Sequence, residues 1–104
     1  MLTQQTAIDT VRGYAREIGN SGIALKHVIL YGSFAKGTQH EWSDIDVALV
    51  ADEFEGLPND HYCFASIAIK KPYIRIESVT YPTDYFLQGD PFIDIIKKEG
   101  IVIL

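Results

Sequence analysis

The sequence predicts an α/β or α+β domain built around one sheet. Two observations carry this expectation. Segments whose apolar residues recur at helical spacing alternate along the chain with short apolar runs of strand character. The chain has 104 residues, which is room for one compact domain, residues 1–104, and not for two.

The elements follow in order. Residues 4–18 place Ala7, Ile8, Val11, Tyr14, Ala15 and Ile18 on one helical face, with Thr3 as N-cap. Gly19-Asn20-Ser21-Gly22 is the stop signal. Gly13 inside that helix costs about 1 kcal/mol relative to alanine. Lys26 to Tyr31 reads as a short strand running into Gly32, and a polar Gly/Ser/Thr-rich stretch follows. Asp46 to Ala51 reads as a second strand, buried on both faces at its end. Gly56-Leu57-Pro58-Asn59-Asp60 is a turn with a helix cap, and His61 to Lys71 then reads as a helix stopped by Pro72. Tyr73 to Tyr81 alternates as a third strand, with Arg75, Glu77, Val79 and Tyr81 on one face. Asp90 caps a last helix that has Pro91 at its first position. Ile93 and Ile96 face its core, joined by Phe92, and Lys97 and Lys98 complement its dipole, with Gly100 as C-cap. Ile101 to Leu104 reads as a final buried strand.

Composition excludes several classes of function. Apolar residues make up 47% of the chain and charged residues 22%, an ordinary soluble globular composition. Nine basic against fourteen acidic residues leave a net charge of −5, which argues against non-specific nucleic-acid binding, since that requires a basic face. The single cysteine, Cys63, excludes an internal disulfide framework and reads as a small buried hydrophobe. His27, His40 and His61 together with Cys63 match no zinc spacing. No apolar run reaches membrane-span length and no signal peptide is visible, so the expected location is the cytoplasm.

The chemistry is concentrated between Tyr31 and Val50. Gly32-Ser33 follows a strand and opens a short turn that Gly37 closes. A glycine lets the backbone approach an anion closely, and a serine hydroxyl beside free amides can hold a phosphate oxygen. Asp44 and Asp46 are two apart at a strand entrance, so both carboxylates point to one face. Paired carboxylates repel, and a divalent cation relieves that repulsion; magnesium is usually held by one or two carboxylates plus substrate phosphates. Gly-Ser at a loop is on its own an ordinary turn, and Asp-x-Asp at a strand entrance an ordinary solvated edge. Their order and spacing together read as a nucleotide-plus-metal site.

Gly32-Ser33-Phe34-Ala35-Lys36-Gly37 followed by Ser43-Asp44-Ile45-Asp46-Val47 resembles the signature of nucleotidyltransferases of the DNA polymerase β type, most closely the minimal nucleotidyltransferases. The close match covers about twenty residues; elsewhere the agreement is in length and element order. The resemblance implies a small mixed sheet flanked by helices, a two-metal Mg²⁺ site, an NTP (here ATP), and transfer of a nucleoside monophosphate to a hydroxyl. It assigns Asp44 and Asp46 to the metals and Gly32, Ser33 and Lys36 to the nucleotide. Glu77 would serve as third carboxylate, ligating the metal that activates the acceptor hydroxyl or acting as base. Minimal members are commonly antitoxins that silence a helical HEPN toxin, some by transferring AMP to a toxin tyrosine.

Two positions depart from the family pattern. Lys36 stands where arginine is usual and offers a charge without a bidentate fork. Glu77 stands where an aspartate is usual, one methylene longer, and its plain alternative is a surface partner of Arg75 or a lysine. Three functions therefore stand side by side: an enzyme modifying a partner, a catalytically degenerate module that neutralises a partner by contact, and a small-molecule (antibiotic) nucleotidyltransferase. The last usually needs a second domain to wall its substrate. So short a chain has little left to cover a nucleotide, and a HEPN-type protein or a second copy is the expected partner. Trp42 reads as a loop-packing residue, Tyr62, Tyr73, Tyr81 and Tyr85 as core or half-buried, and Asp52-Glu53-Phe54-Glu55 as a solvated loop.

Overall fold

Thr3 caps α1 (Gln4–Asn20) as expected: its hydroxyl accepts from the Thr6 backbone N–H, and Thr6 Oγ1 accepts in turn from the Thr3 N–H at 2.8 Å. Ala7, Val11, Tyr14 and Ile18 are the buried stripe of this helix, and the chain leaves it at Ser21. Gly13 has a packing reason, because a Cβ there would sit 3.0 Å from the Tyr73 hydroxyl. In the computed structural model, which describes residues 2–104, there follow β1 (Leu25–Tyr31), α2 (Ser33–Lys36) and β2 (Ile45–Ala51). Then come α3 (Ala65–Ala68), β3 (Ile76–Tyr81), α4 (Thr83–Gln88), α5 (Pro91–Glu99) and β4 (Ile101–Val102).

The strands lie in the order β3-β2-β1-β4. β1 runs antiparallel to β2 and to β4, whereas β2 and β3 are parallel, so the sheet is mixed and helices flank it. Alternation divides its side chains between two layers. Val28, Leu30, Val47, Leu49 and Ala51 pack with α1, Phe54, Phe64 and Tyr73. Ile29, Ala48 and Val50 pack with Phe86 of α4 and with Ile93 and Ile96 of α5. β2 is the central strand and is buried almost throughout, as its apolar run predicts.

The middle of the chain differs from expectation. Instead of one helix over residues 61–71, it forms a 3-10 segment (Pro58–Phe64), the single turn α3, and a second 3-10 turn (Lys71–Tyr73). Phe64 and Ile67 face inward while Tyr62, Cys63 and Ile69 face solvent, and the second 3-10 turn brings Tyr73 inward as well. Cys63 is thus exposed, contrary to its reading as a buried hydrophobe. Because Tyr73 turns in against Tyr14, β3 starts at Ile76 and not at Tyr73. Trp42 is 81% exposed and packs no loop. Of the acidic run, Asp52, Glu53 and Glu55 are solvated as expected but Phe54 is core.

At the C-terminal end, α4 is an element beyond those the sequence predicts, short and with a single buried residue, Phe86. α5 has the predicted Asp90 cap, whose carboxylate accepts from the Ile93 N–H at 2.7 Å. Gly100 ends it in an extended conformation (φ −78°), so a left-handed cap is not what requires glycine. The requirement is close approach: a Cβ would collide with Ile29 Cγ2 and the Ile96 carbonyl. β4 is shorter and more open than predicted, since it sits at the sheet edge with Val102 70% exposed. No helix among the described residues is long and apolar enough to cross a membrane.

Candidate active site

The site begins where β1 ends. Gly32 (φ 73°, ψ −153°) turns the chain from Tyr31 into α2, a conformation open essentially only to glycine. Any Cβ at this position would overlap the Asp46 carboxylate, so the glycine lets β2 present that group directly beside the turn. α2 is held by buried Phe34 and by the Gln4 side-chain amide of α1, which donates to the Phe34 carbonyl at 2.9 Å and the Ala35 carbonyl at 3.2 Å. Gly37 closes the turn in the left-handed region.

A second tight turn launches β2. The Ser43 N–H donates to the His40 carbonyl (3.0 Å), and Ser43 Oγ accepts from the His40 N–H (2.9 Å). Ser43 is accordingly buried, which gives the serine before the paired aspartates a structural task. Asp44 follows in an exposed position, Ile45 anchors in the core, and Asp46 is half-buried. Tyr31, Asp46 and Glu77 are register partners across β1, β2 and β3, so they form one row over the sheet on the face that α4 and α5 cover farther along. Asp44, one residue before β2 begins, is near enough for its charge to act on Asp46.

The electrostatics agree with this crowding. Burial first, then the charges of Glu77 and Asp44, raise the Asp46 pKa above the ordinary carboxylate value. Tyr31 is pushed up to about 12 by burial and by Asp46, Tyr81 and Glu77. No cation offsets the three carboxylates: the ion pairs among the described residues are Arg12–Asp9, Lys36–Glu99 and Lys70–Glu17. Glu77 therefore has no ion pair with Arg75 or a lysine. Arg75 points its guanidinium instead at the backbone carbonyls of Glu41 and Ser43.

The structure thus brings Gly32, Ser33, Asp44, Asp46 and Glu77 to one open end of the sheet. Lys36 lies at the far end of α2, where its ammonium is 3.4 Å from the Glu99 carboxylate. The acidic groups are uncompensated hard oxygen donors, the chemistry that magnesium takes. They are not a closed cage; among the described residues no three such groups already stand in metal-holding proximity. Asp44 and Asp46 with phosphate oxygens would suit magnesium, which rarely relies on protein ligands alone. A hollow of about 220 Å³ between Glu55, Gly56, Tyr81, Pro82 and Tyr85 lies at the other end of β3 and includes none of these groups. Two further residues, Tyr31 and Arg75, stand at the candidate site. Tyr31 had a signal, being last before Gly32, and Arg75 had none, because its partners are main-chain carbonyls.

Residues 8–103 match the family model of the nucleotidyltransferase domain. No curated protein sequence matches the chain. Among solved structures, a Sulfolobus solfataricus protein assigned as a nucleotidyltransferase aligns over 95% of this chain and 80% of its own, with a TM-score of 0.69 and 17% identity. A toxin–antitoxin structure with AMP-PNP aligns over 89% of this chain and 72% of its own, with a TM-score of 0.59 and 21% identity. At such identities the likeness concerns the fold.

Proposed function

Because the chain belongs to the nucleotidyltransferase domain family, we propose that it is a magnesium-dependent enzyme of the minimal type that transfers AMP from ATP to a hydroxyl of a partner protein, as antitoxin to a HEPN-type toxin. One observation carries the reading: an unpaired carboxylate row, Asp46 and Glu77 with Asp44 beside them, abuts a glycine turn whose missing side chain lets the Asp46 carboxylate stand directly against it.

The roles follow from the placement. The backbone at Gly32 and the Ser33 hydroxyl grip the outer phosphates. Asp44 and Asp46 would hold magnesium, which would supply positive charge to the phosphate oxygens. Glu77 stands across from Asp46 on the acceptor side, as a further ligand or as the base that takes the hydroxyl proton. The acceptor oxygen bonds to the α-phosphorus as its bond to pyrophosphate breaks. Lys36 can join the phosphates by leaving Glu99, since an exposed pair of this kind is worth only about 0–1 kcal/mol. Asp44 and Glu77 are exposed, so the cleft lacks a wall that would exclude water. A partner surface presenting its own hydroxyl supplies that wall, and the likeness to a toxin–antitoxin structure with AMP-PNP supports this.

A second reading, a degenerate module that neutralises its partner by contact, is favoured by the absence of three pre-gathered ligating groups among the described residues. Both are tested by co-expressing the chain with the product of its neighbouring gene and adding magnesium and ATP labelled at the α-phosphate. The enzyme reading expects label on the partner, lost in Asp46→Asn. A complex that forms and never takes label supports the second reading, and no complex with no label overturns both.

A further inference from the structure

We propose that Arg75 is the positioning residue of the site, fixing both peptide planes that meet at Asp44 and so setting that carboxylate against Glu77. The guanidinium Nη2 donates to the Glu41 carbonyl (3.1 Å) and to the Ser43 carbonyl. The Arg75 main-chain carbonyl accepts from the Ile45 N–H at 3.0 Å. The Ser43 carbonyl belongs to the peptide before Asp44 and the Ile45 N–H to the peptide after it. One residue therefore holds Asp44 from both sides. Glu77 lies two positions beyond Arg75, and β3 is paired in parallel with β2 from Ile45↔Ile76 onward. The same anchor thus ties the loop carrying Asp44 to the strand carrying Glu77.

Three features separate this from an incidental surface contact. The chain carries a net charge of −5, yet this guanidinium is part-buried and forms none of the ion pairs among the described residues. Its carbonyl partners come from a loop whose other hydrogen bonds are local, between Thr38 and Ser33 and among His40, Trp42 and Ser43. Asp44 itself is exposed, so its own packing does not fix it. Both bonds leave one nitrogen, Nη2, whose two N–H groups are fixed in the guanidinium plane; a lysine keeps the charge, but its ammonium rotates freely and is more strongly hydrated, so arginine and lysine are not equivalent here.

The metal-binding part of this inference rests on the nucleotidyltransferase reading; the anchoring does not. The test uses Arg75→Lys and Arg75→Gln with two readouts. In the free protein, amide hydrogen exchange at Ser43 and Ile45 should speed up at least about tenfold while α1 and β1 amides keep their protection. Mn²⁺ affinity in the presence of ATP should fall about tenfold, the usual cost of losing an outer-shell partner, with ATP binding in EDTA unchanged. Unchanged exchange in both variants overturns the proposal. So does an equal loss of metal-free and metal-dependent ATP binding, which would mark a general structural role. If the unsubstituted chain shows no metal-dependent ATP binding, the enzymatic reading falls, and exchange at Ser43 and Ile45 still decides whether Arg75 anchors Asp44.

Discussion

A missing methyl group lets the Gly32 turn and the Asp46 carboxylate share one space, and the crowding this permits has a thermodynamic sign. Asp46 is disfavoured as an anion by burial and by Glu77 and Asp44, so its folded pKa lies above the unfolded one. Such a group opposes folding at pH values above its folded pKa, and the penalty fades as pH falls through that value. Asp46→Asn removes it at neutral pH. The free protein should melt about 2–4 °C higher, because solvent around a half-exposed carboxylate screens the effect to under about 1 kcal/mol. Thermal denaturation at pH 7 and pH 4 checks this; the gap between the two proteins should shrink at the lower pH. Gain of stability with loss of ligand binding is the pattern of a site held ready for a cation. That Gly32, Ser33, Asp44 and Asp46 lie close together was legible because their spacing is local. Tyr31 and Arg75 were not, since the first acts through cross-strand register and the second through main-chain carbonyls.

The element hardest to read, the segment between β2 and β3, is shaped by one buried carboxylate. Asp60 accepts from the backbone N–H groups of Glu55, Gly56 and Leu57 and from the Thr80 hydroxyl of β3 at 2.7 Å. Burial raises its pKa, but these donors outweigh it and hold the carboxyl below its ordinary value. The stability it contributes is present above the unfolded pKa and is lost as pH falls through the folded one. Asp60→Asn keeps the shape but turns one acceptor oxygen into a donor facing N–H groups. Urea denaturation should show a loss of about 2–3 kcal/mol at pH 7, shrinking toward pH 3. α1, β1, β2 and α5 were legible because caps and apolar spacing agree within each. The middle segment was not, because a clamp to distant β3 overrides its local pattern. α4 buries only Phe86 and so left no periodic stripe, and β4 reads as a core strand although the topology puts it at an edge.

At the scale of the whole molecule, a mixed four-stranded sheet is packed on both faces and left open at the end where β1 and β2 meet. The acidic row there stands without ion pairs among the described residues, in a chain whose net charge is already −5. On the proposed function, a cation would relieve these gathered like charges, and nucleotide phosphates would complete its shell.

The most direct measurement is a thermal-shift titration with ATP, in magnesium and in EDTA, on the unsubstituted chain and on Asp44→Asn/Asp46→Asn. At about 100 times its Kd a ligand adds about 2.7 kcal/mol, which moves a domain of this size by roughly 10 °C or more. The account predicts that full shift only for the unsubstituted chain in magnesium and a clearly smaller one in EDTA, with the double variant folded and showing no metal-dependent gain. A flat response in magnesium, or an equal shift in EDTA or in the double variant, would contradict it.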